Sequence, residues 1–231
     1  MRTKTLLAAA ALIAAGAATS MAQQNVYSLN IVGYYNVPAS GALTAMANSL
    51  RASAGTPEQD RADKVIPYSD GDNIQVWNGA GWTVYTMDSL SGTGWSDNNG
   101  DVPLANLPVL GPGVGFFYGK NTAVTQLTFV GEVRTGTNNV AIPVGLSALG
   151  SPLPYSGAIS TGPVNLQVQD GDNVQTWNGS GWDLVSRDSL SGTGWTGASG
   201  DVAEPTLSVG QGFFYGNGVG AFNWQQVLNN P

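Results

Sequence analysis

The feature that most constrains this chain is a segment that occurs twice, 100 positions apart. Residues 70–102 and 170–202 align without a gap, and 21 of the 33 aligned positions are identical. Both copies contain Asp-Gly-Asp-Asn, Trp-Asn-Gly, Gly-Trp and the run Asp-Ser-Leu-Ser-Gly-Thr-Gly-Trp in the same order. A period of this length is the size of a small domain and too long for the unit of a solenoid. The duplication therefore predicts two copies of one module in tandem.

The first 22 residues have the pattern of a cleaved signal peptide. Arg2 and Lys4 precede an uncharged apolar run from Leu6 to Ala18, and Ser-Met-Ala at 20–22 resembles a cleavage site. The apolar run is shorter than the roughly 20 residues that a bilayer-spanning helix requires. We therefore expect an exported protein, secreted or held at the cell surface, with no membrane span after processing.

Turn-forming residues separate short strand-like runs along the rest of the chain, which predicts an all-β protein. The sequence has 32 glycines and 12 prolines, and 42% of its residues are hydrophobic, enough to build cores. A module of about 100 residues can bury a core of its own. We predict two tandem antiparallel β-sandwich or barrel-like modules at 23–133 and 134–231, after a signal peptide at 1–22.

The expected strands follow the same order in both modules. In the first module they are predicted at 26–37, 43–49, 73–77, 82–87, 114–118 and 125–133. In the second they are predicted at 129–142, 146–151, 173–177, 182–186, 211–215 and 220–227. The strand that closes the first module is thus expected to open the second. Residues 51–64 and 103–108 differ in length between the copies and are predicted to be loops, the first with one helical turn.

The firmest local prediction is a hairpin around each Trp-Asn-Gly, because Asn-Gly between two β-prone runs is a strong turn signal. Met87 is replaced by Arg in the second copy whereas Trp82 is kept, which predicts a buried Trp82 face and an outward Met87 face. Two registers are open. A three-residue loop places Ile74 on the buried face, and a four-residue loop places Trp77 there. The first is favoured because it gathers aliphatic side chains.

Charge and composition argue against several classes of function. The chain has 15 acidic and 8 basic residues, and loss of the leader removes two of the basic ones, for a net charge of −9. Nucleic acid and anionic membranes require clustered Lys and Arg, so neither is expected as a partner. Cysteine and histidine are absent, which removes common nucleophiles, general bases and metal ligands. We therefore expect no enzyme activity and no cofactor.

The aspartates occur in both copies, which favours a structural role over a single catalytic site. Asp70, Asp72, Asp88 and Asp101 all have counterparts 100 positions later. Paired carboxylates can act as acid and base on a glycosidic bond, and Asp-rich turns can bind calcium. The simpler interpretation is a turn in which short carboxylates bond to their own backbone.

Trp77 and Trp177 are the candidate ligand-contacting residues. Sugar rings stack on aromatic faces, and the nearby carboxylates of Asp72 and Asp172 would bond to hydroxyl groups. A carbohydrate-binding module with one shallow site per repeat is therefore the alternative function. The competing interpretation is that the tryptophans fill the interior of the protein.

These motifs, in their order, resemble those of a loosely defined group of exported bacterial tandem-repeat β proteins of unknown function. The shared patterns are Trp-Asn-Gly-x-Gly-Trp and Pro-Gly-x-Gly-Phe-Phe, and the matching segments are 70–74, 77–82, 110–117 and 127–133. In the second copy the proline of the latter pattern is replaced within 209–211. The resemblance implies a secreted β module and carries no catalytic residues.

Together these features predict a non-enzymatic exported structural or adhesive protein of the cell surface or extracellular matrix. Self-association and binding to a surface polysaccharide are the hypotheses for its partners. The terminal strands expected at 26–37 and 220–227 would offer unpaired backbone groups for association between copies.

Overall fold

The computed structural model describes residues 31–39, 41–52 and 56–229, and these are mainly β-strands and turns. The predicted signal peptide lies outside the described residues. The strands of the first half are β1 (Ile31–Pro38), β2 (Leu43–Ala47), β3 (Asn73–Trp77), β4 (Trp82–Met87), β5 (Trp95–Asp97), β6 (Gly100–Asp101), β7 (Gly115–Gly119) and β8 (Gln126–Val133). Those of the second half are β9 (Gly136–Ile142), β10 (Gly145–Gly150), β11 (Gly157–Ala158), β12 (Asn173–Trp177), β13 (Trp182–Arg187), β14 (Trp195–Gly197), β15 (Gly200–Asp201), β16 (Thr206–Leu207), β17 (Gly212–Asn217) and β18 (Phe222–Leu228).

Each half builds one six-stranded antiparallel sheet, and the two sheets have the same topology. The strand order is β2-β7-β3-β4-β5-β6 in the first half and β10-β17-β12-β13-β14-β15 in the second. Each half also has a two-stranded antiparallel ribbon, β1–β8 (the first ribbon) or β9–β18 (the second ribbon). The second half contains one further short pair, β11–β16. The all-β fold with two similar halves is confirmed.

Each half has its own hydrophobic core between the sheet and the ribbon. In the first core, Ile74 and Tyr118 of the sheet pack with Phe129 of the ribbon. In the second core, Val174 of the sheet packs with Trp224 of the ribbon. Strand side chains alternate between faces, so each sheet and each ribbon can contribute one apolar face to a core. The two cores belong to one compact unit that begins at Ile31.

The strand predicted at 129–142 is in fact two strands, and neither is shared between the halves. β8 pairs with β1 along its whole length, and β9 pairs with β18. Arg134 and Thr135 separate the two strands, and Gly136 follows with a φ of +76°. The chain turns at this point from one ribbon to the other, and each half keeps a complete ribbon.

Both hairpins have the four-residue loop, so the favoured register is wrong and the alternative holds. Trp77 pairs with Trp82. Ile74 lies on the opposite face of the sheet and is fully buried in the first core. Met87, predicted to point outward, is fully buried there as well. Because this sheet has apolar contacts on both faces, a polar replacement in the second copy could not identify a solvent-facing side.

Several short elements have no sequence signal. The strands that were not predicted are β5, β6, β11, β14, β15 and β16, each two or three residues long. Runs of this length are too short to show alternation. The predicted loops contain 3-10 segments at Pro57–Asp60 and Leu104–Asn106 and a four-residue helix, α1 (Ala62–Val65), among their described residues.

Candidate functional site

The two Trp-Asn-Gly hairpins meet where the halves pack against each other. Six rings form one inter-half aromatic cluster: Trp77, Trp82, Phe117, Trp177, Trp182 and Phe214. The Trp77 ring lies 5.3 Å from that of Phe214, and the Trp177 ring lies 5.2 Å from that of Phe117, both edge to face. This geometry is favourable for aromatic pairs. Each hairpin thus places a tryptophan against a phenylalanine of the other half.

The same tryptophans exchange hydrogen bonds between the halves. The indole Nε1–H of Trp77 donates to the carbonyl of Leu146 at 3.0 Å. That of Trp177 donates to the carbonyl of Leu43, also at 3.0 Å. A partly buried indole N–H needs an acceptor, and each finds a backbone carbonyl at the start of an edge strand, β10 or β2, in the opposite half. The two contacts are equivalent, so the halves pack with approximate two-fold symmetry.

The local sequence fixes the position of these rings through the hairpin loop. The side-chain oxygen of Asn78 accepts the N–H groups of Ala80 and Gly81, at 3.0 and 2.9 Å. Gly79 has a φ of +96°, a conformation that favours glycine. The loop therefore sets Trp77 directly opposite Trp82, on the sheet face that meets the other half.

The glycines before Phe-Phe-Tyr allow the backbones of the halves to approach closely. A Cβ on Gly115 would lie 2.4 Å from the carbonyl oxygen of Leu149, and one on Gly212 would lie 2.5 Å from that of Met46. Backbone hydrogen bonds cross nearby, including one of 2.8 Å from Ala47 N–H to the carbonyl of Gly210. The Gly-x-Gly-Phe-Phe motif is thus explained by packing between the halves.

Asp72 and Asp172, proposed to contact a glycan, are buried inside their own halves. Asp72 accepts hydrogen bonds from the Tyr118 hydroxyl, the backbone N–H of Asn121 at 2.7 Å and the Thr122 hydroxyl at 2.9 Å. Asp172 accepts the equivalent bonds from the Tyr215 hydroxyl and the backbone N–H of Gly218, and its third donor is the backbone N–H of Gln169. The tryptophans and these carboxylates are therefore not brought together on one open surface, and the aspartates have structural contacts that account for them.

The buried Asp72–Tyr118 pair has shifted pKa values. Burial alone raises the pKa of Asp72, but the hydrogen bonds from Tyr118, Asn121 and Thr122 outweigh it and hold the pKa below its ordinary value. Burial and the bond to the carboxylate raise the pKa of the Tyr118 hydroxyl well above its ordinary value. The pair is thus a protonated tyrosine that donates to an ionised aspartate.

Two further aspartates that occur in both copies hold turns. Asp70 accepts the N–H of Ser89 at 2.6 Å, and Asp88 accepts that of Leu90 at 2.9 Å. These bonds are repeated in the second half by Asp170 and Asp188. In the part of the chain that the structure describes, no group of three or more acidic side chains could hold a metal ion. Over the same residues, no helix is long and apolar enough to span a bilayer.

Two kinds of surface feature, exposed apolar side chains and a cavity, were not identified from the sequence. The first ribbon exposes Val32, Tyr34 and Val130 on its outer face, at 67, 74 and 63% of their full accessibility. The only sequence signal was the alternation of apolar residues in β1, which has no long polar face. Leu90 and Leu190 are also exposed, at the tips of the identical turns, and no contact within the described residues explains them.

The second feature is a cavity of about 310 Å³, here called the Trp177 cavity. It lies between the second hairpin, the start of β2, the end of β1 and the turn before β17. Its lining includes Val37, Leu43, Trp177, Ser208, Val209 and Gln211. The difference between Gln211 and its first-half counterpart Val114 is the signal by which a sequence comparison could have found it.

No family model, no curated protein and no solved structure matches this chain. The resemblance to exported tandem-repeat proteins therefore stays a prediction.

Proposed function

We propose that this chain is a non-enzymatic exported structural or adhesive protein of the cell surface or extracellular matrix, whose copies associate through the outer face of the first ribbon. The observation that carries the proposal is the patch formed there by Val32, Tyr34 and Val130. Tyr34 lies directly opposite Val130 in the ribbon, so their side chains are neighbours. Adjacent apolar side chains on a solvent-facing ribbon are typical of contact surfaces.

A second copy of the same chain is the partner that this patch fits. The chain has 15 acidic and 8 basic residues, so its net negative charge opposes the approach of another copy. The Tyr34–Val130 pair is uncharged, while Glu132 lies beside it, opposite Val32. The pair can meet its own equivalent across a two-fold axis. Among the described residues, β1 also has a strand neighbour on one side only, which leaves backbone groups on the other side for pairing between copies.

Sedimentation velocity over a wide concentration range tests this proposal with one matched pair of variants. Val130→Lys places a charge in the patch, and Val227→Lys makes the same change at the equivalent position of the second ribbon. The native protein is expected to associate with increasing concentration, as is Val227→Lys, whereas Val130→Lys stays monomeric. Both sites are exposed, so each variant should fold with a change in stability below about 0.5 kcal/mol.

A native protein that stays monomeric at the highest concentration contradicts the proposed association. So does equal loss of association in both variants, because that outcome would reflect added positive charge rather than the first ribbon.

A further inference from the structure

We infer that the Trp177 cavity binds a neutral sugar unit, at one site in the protein rather than one in each repeat. The inference does not rest on the proposed self-association, because the first-ribbon patch and this cavity use different residues. The volume of about 310 Å³ lies at the lower end of the range for small-molecule sites. A single small ring with its substituents is therefore the appropriate size of ligand.

The lining of the cavity selects a neutral, amphipathic ligand. Val37, Leu43 and Val209 supply apolar walls, while Ser208 and Gln211 supply uncharged polar groups. Among the described residues, no ionisable side chain lines the cavity, although the chain as a whole is acidic. A charged ligand would lose its hydration there without gaining a counter-charge. A sugar offers a C–H face for the apolar walls and the indole, and hydroxyl groups for the polar side chains.

Both kinds of wall are held in place before any ligand binds. The Trp177 indole is tied to Leu43 through its N–H and packed edge to face against Phe117. The Gln211 side-chain oxygen accepts the N–H of Ser208 at 2.9 Å, which orients its amide. Within the described residues, the Gln211 amide nitrogen and the Ser208 hydroxyl make no protein hydrogen bond. These two groups are thus oriented and available, which lowers the entropic cost of binding.

The polar groups of the cavity are not required for joining the halves. At the equivalent positions of the first half, Gln211 and Ser208 correspond to Val114 and Gly111. The backbone contacts are nevertheless the same, since Gln211 bridges to Met46 as Val114 bridges to Leu149. The packing therefore accepts an apolar side chain at this position. The Gln211 amide and the Ser208 hydroxyl occur only in the second half. A bound ligand explains their presence there, whereas packing between the halves does not.

The test is an NMR titration of the full exported chain with glucose, galactose, N-acetylglucosamine and their β-linked disaccharides. Sugars are added to about 50 mM, which detects the millimolar affinities expected of one shallow cavity. The indole N–H resonance of Trp177 should shift saturably with at least one sugar, whereas that of Trp77 should not. Glucuronate, which carries a charge on the same ring, should bind more weakly. The absence of any Trp177 shift overturns the inference, and so does a Trp77 shift of equal size.

Reciprocal variants then identify the polar group. Gln211→Val installs the residue of the first half and should weaken binding about five- to tenfold, the effect of losing one hydrogen bond. Val114→Gln makes the opposite change in the first half and should leave the affinity unchanged. Native affinity in Gln211→Val, or equal loss in both variants, contradicts the assignment. Ser208→Ala, which leaves the turn backbone intact, is the second probe if Gln211→Val perturbs folding.

Discussion

The two ribbons pair in the same way but present different outer faces. In the first, Tyr34 lies opposite Val130, and in the second, Thr137 lies opposite Val227. Both inner faces contribute an aromatic side chain to a core, Phe129 in the first ribbon and Trp224 in the second. They are not identical, because the inner pair Tyr35–Phe129 of the first ribbon is matched by the buried polar pair Asn138–Gln226 in the second. The ribbons thus keep the same strand pairing while both of their faces differ.

The contact between the halves shows the opposite behaviour. Trp77 and Trp177 are the same residue, make the same kind of ring contact and donate to equivalent carbonyls. In a symmetric interface every change is felt by tightly packed neighbours, so differences are costly. Differences between the copies, such as Tyr34 against Thr137 or Gln211 against Val114, are then the places where function beyond folding is to be sought.

The largest expected effect is that of removing a tryptophan from the inter-half aromatic cluster. Trp77→Ala and Trp177→Ala should each lower the free energy of unfolding by about 3 kcal/mol, the lower end for a large aromatic side chain, because both rings are only half-buried. Urea denaturation followed by far-UV circular dichroism measures the change. The two losses should agree closely.

Trp77→Phe and Trp177→Phe are the controls that keep an aromatic ring but remove the indole N–H and part of the ring volume. Each should cost about 1–2 kcal/mol, the value of one hydrogen bond plus a smaller loss of packing. A large Trp77→Ala cost beside a negligible Trp177→Ala cost would break the two-fold equivalence described above.

A smaller effect is expected from the buried carboxylates. Asp72→Asn should lower the free energy of unfolding by about 2 kcal/mol at neutral pH, because an ionised acceptor of three hydrogen bonds is replaced by a neutral one. The pKa of Asp72 is lower in the folded than in the unfolded chain, so its ionisation stabilises the fold above the unfolded pKa of about 4. This contribution is lost as the pH falls through the folded pKa.

Unfolding measured from neutral pH down to strongly acidic pH distinguishes the native protein from the Asp72→Asn variant. Their stabilities should begin to converge as the pH falls below about 4, the unfolded pKa, and should meet below the lower folded pKa, where the native carboxylate is protonated. Asp172→Asn is the matched variant of the second half, and its neutral-pH cost should be similar because its donors are similar. A constant difference at every pH would show that Asp72 acts through shape rather than charge.

The hairpin loops provide a test in which the sign of the effect changes. Gly79→Ala should cost about 1 kcal/mol, because its φ of +96° strains a residue with a Cβ even though the surrounding space is open. Gly81→Ala, two residues later, has open space and no such φ, and should be neutral or slightly stabilising. Thermal unfolding of both variants, and of Gly179→Ala and Gly181→Ala, measures this. Equal losses at both positions of a loop would contradict the backbone explanation.

Much of the fold could be predicted because its signals are local. The bounds of β3 and β4 follow from Asn-Gly and the flanking β-prone runs, and they match the prediction at both ends. The register of this hairpin did not match the prediction. Ile74 and Trp77 both enter apolar surroundings, on opposite faces of one sheet, so either could have marked the buried face. Alternation of apolar and polar residues identifies the buried face of a strand only when the other face is exposed to solvent.

The candidate site was less predictable because its determinants are non-local. Trp177 was identified as a tryptophan beside a turn, but its acceptor lies 134 positions away at Leu43. Asp172 has the short polar side chain expected of a ligand contact, yet a tyrosine from another strand encloses it. Such partners depend on how two halves pack, and no spacing within one copy encodes that.

The smallest effect on stability, and the sharpest test of the ribbon comparison, is expected from Thr137→Tyr. This change gives the second ribbon the tyrosine of the first, opposite Val227, which is already 46% exposed. Thr137 is exposed, so the free energy of unfolding should change by less than about 0.5 kcal/mol. Sedimentation velocity should instead show larger species than the native protein forms, because a chain with two contact faces can extend beyond a dimer. If the variant associates no further than the native protein, the first ribbon's patch is not defined by its tyrosine–valine pair, and Val32 or the free edge of β1 must supply the contact.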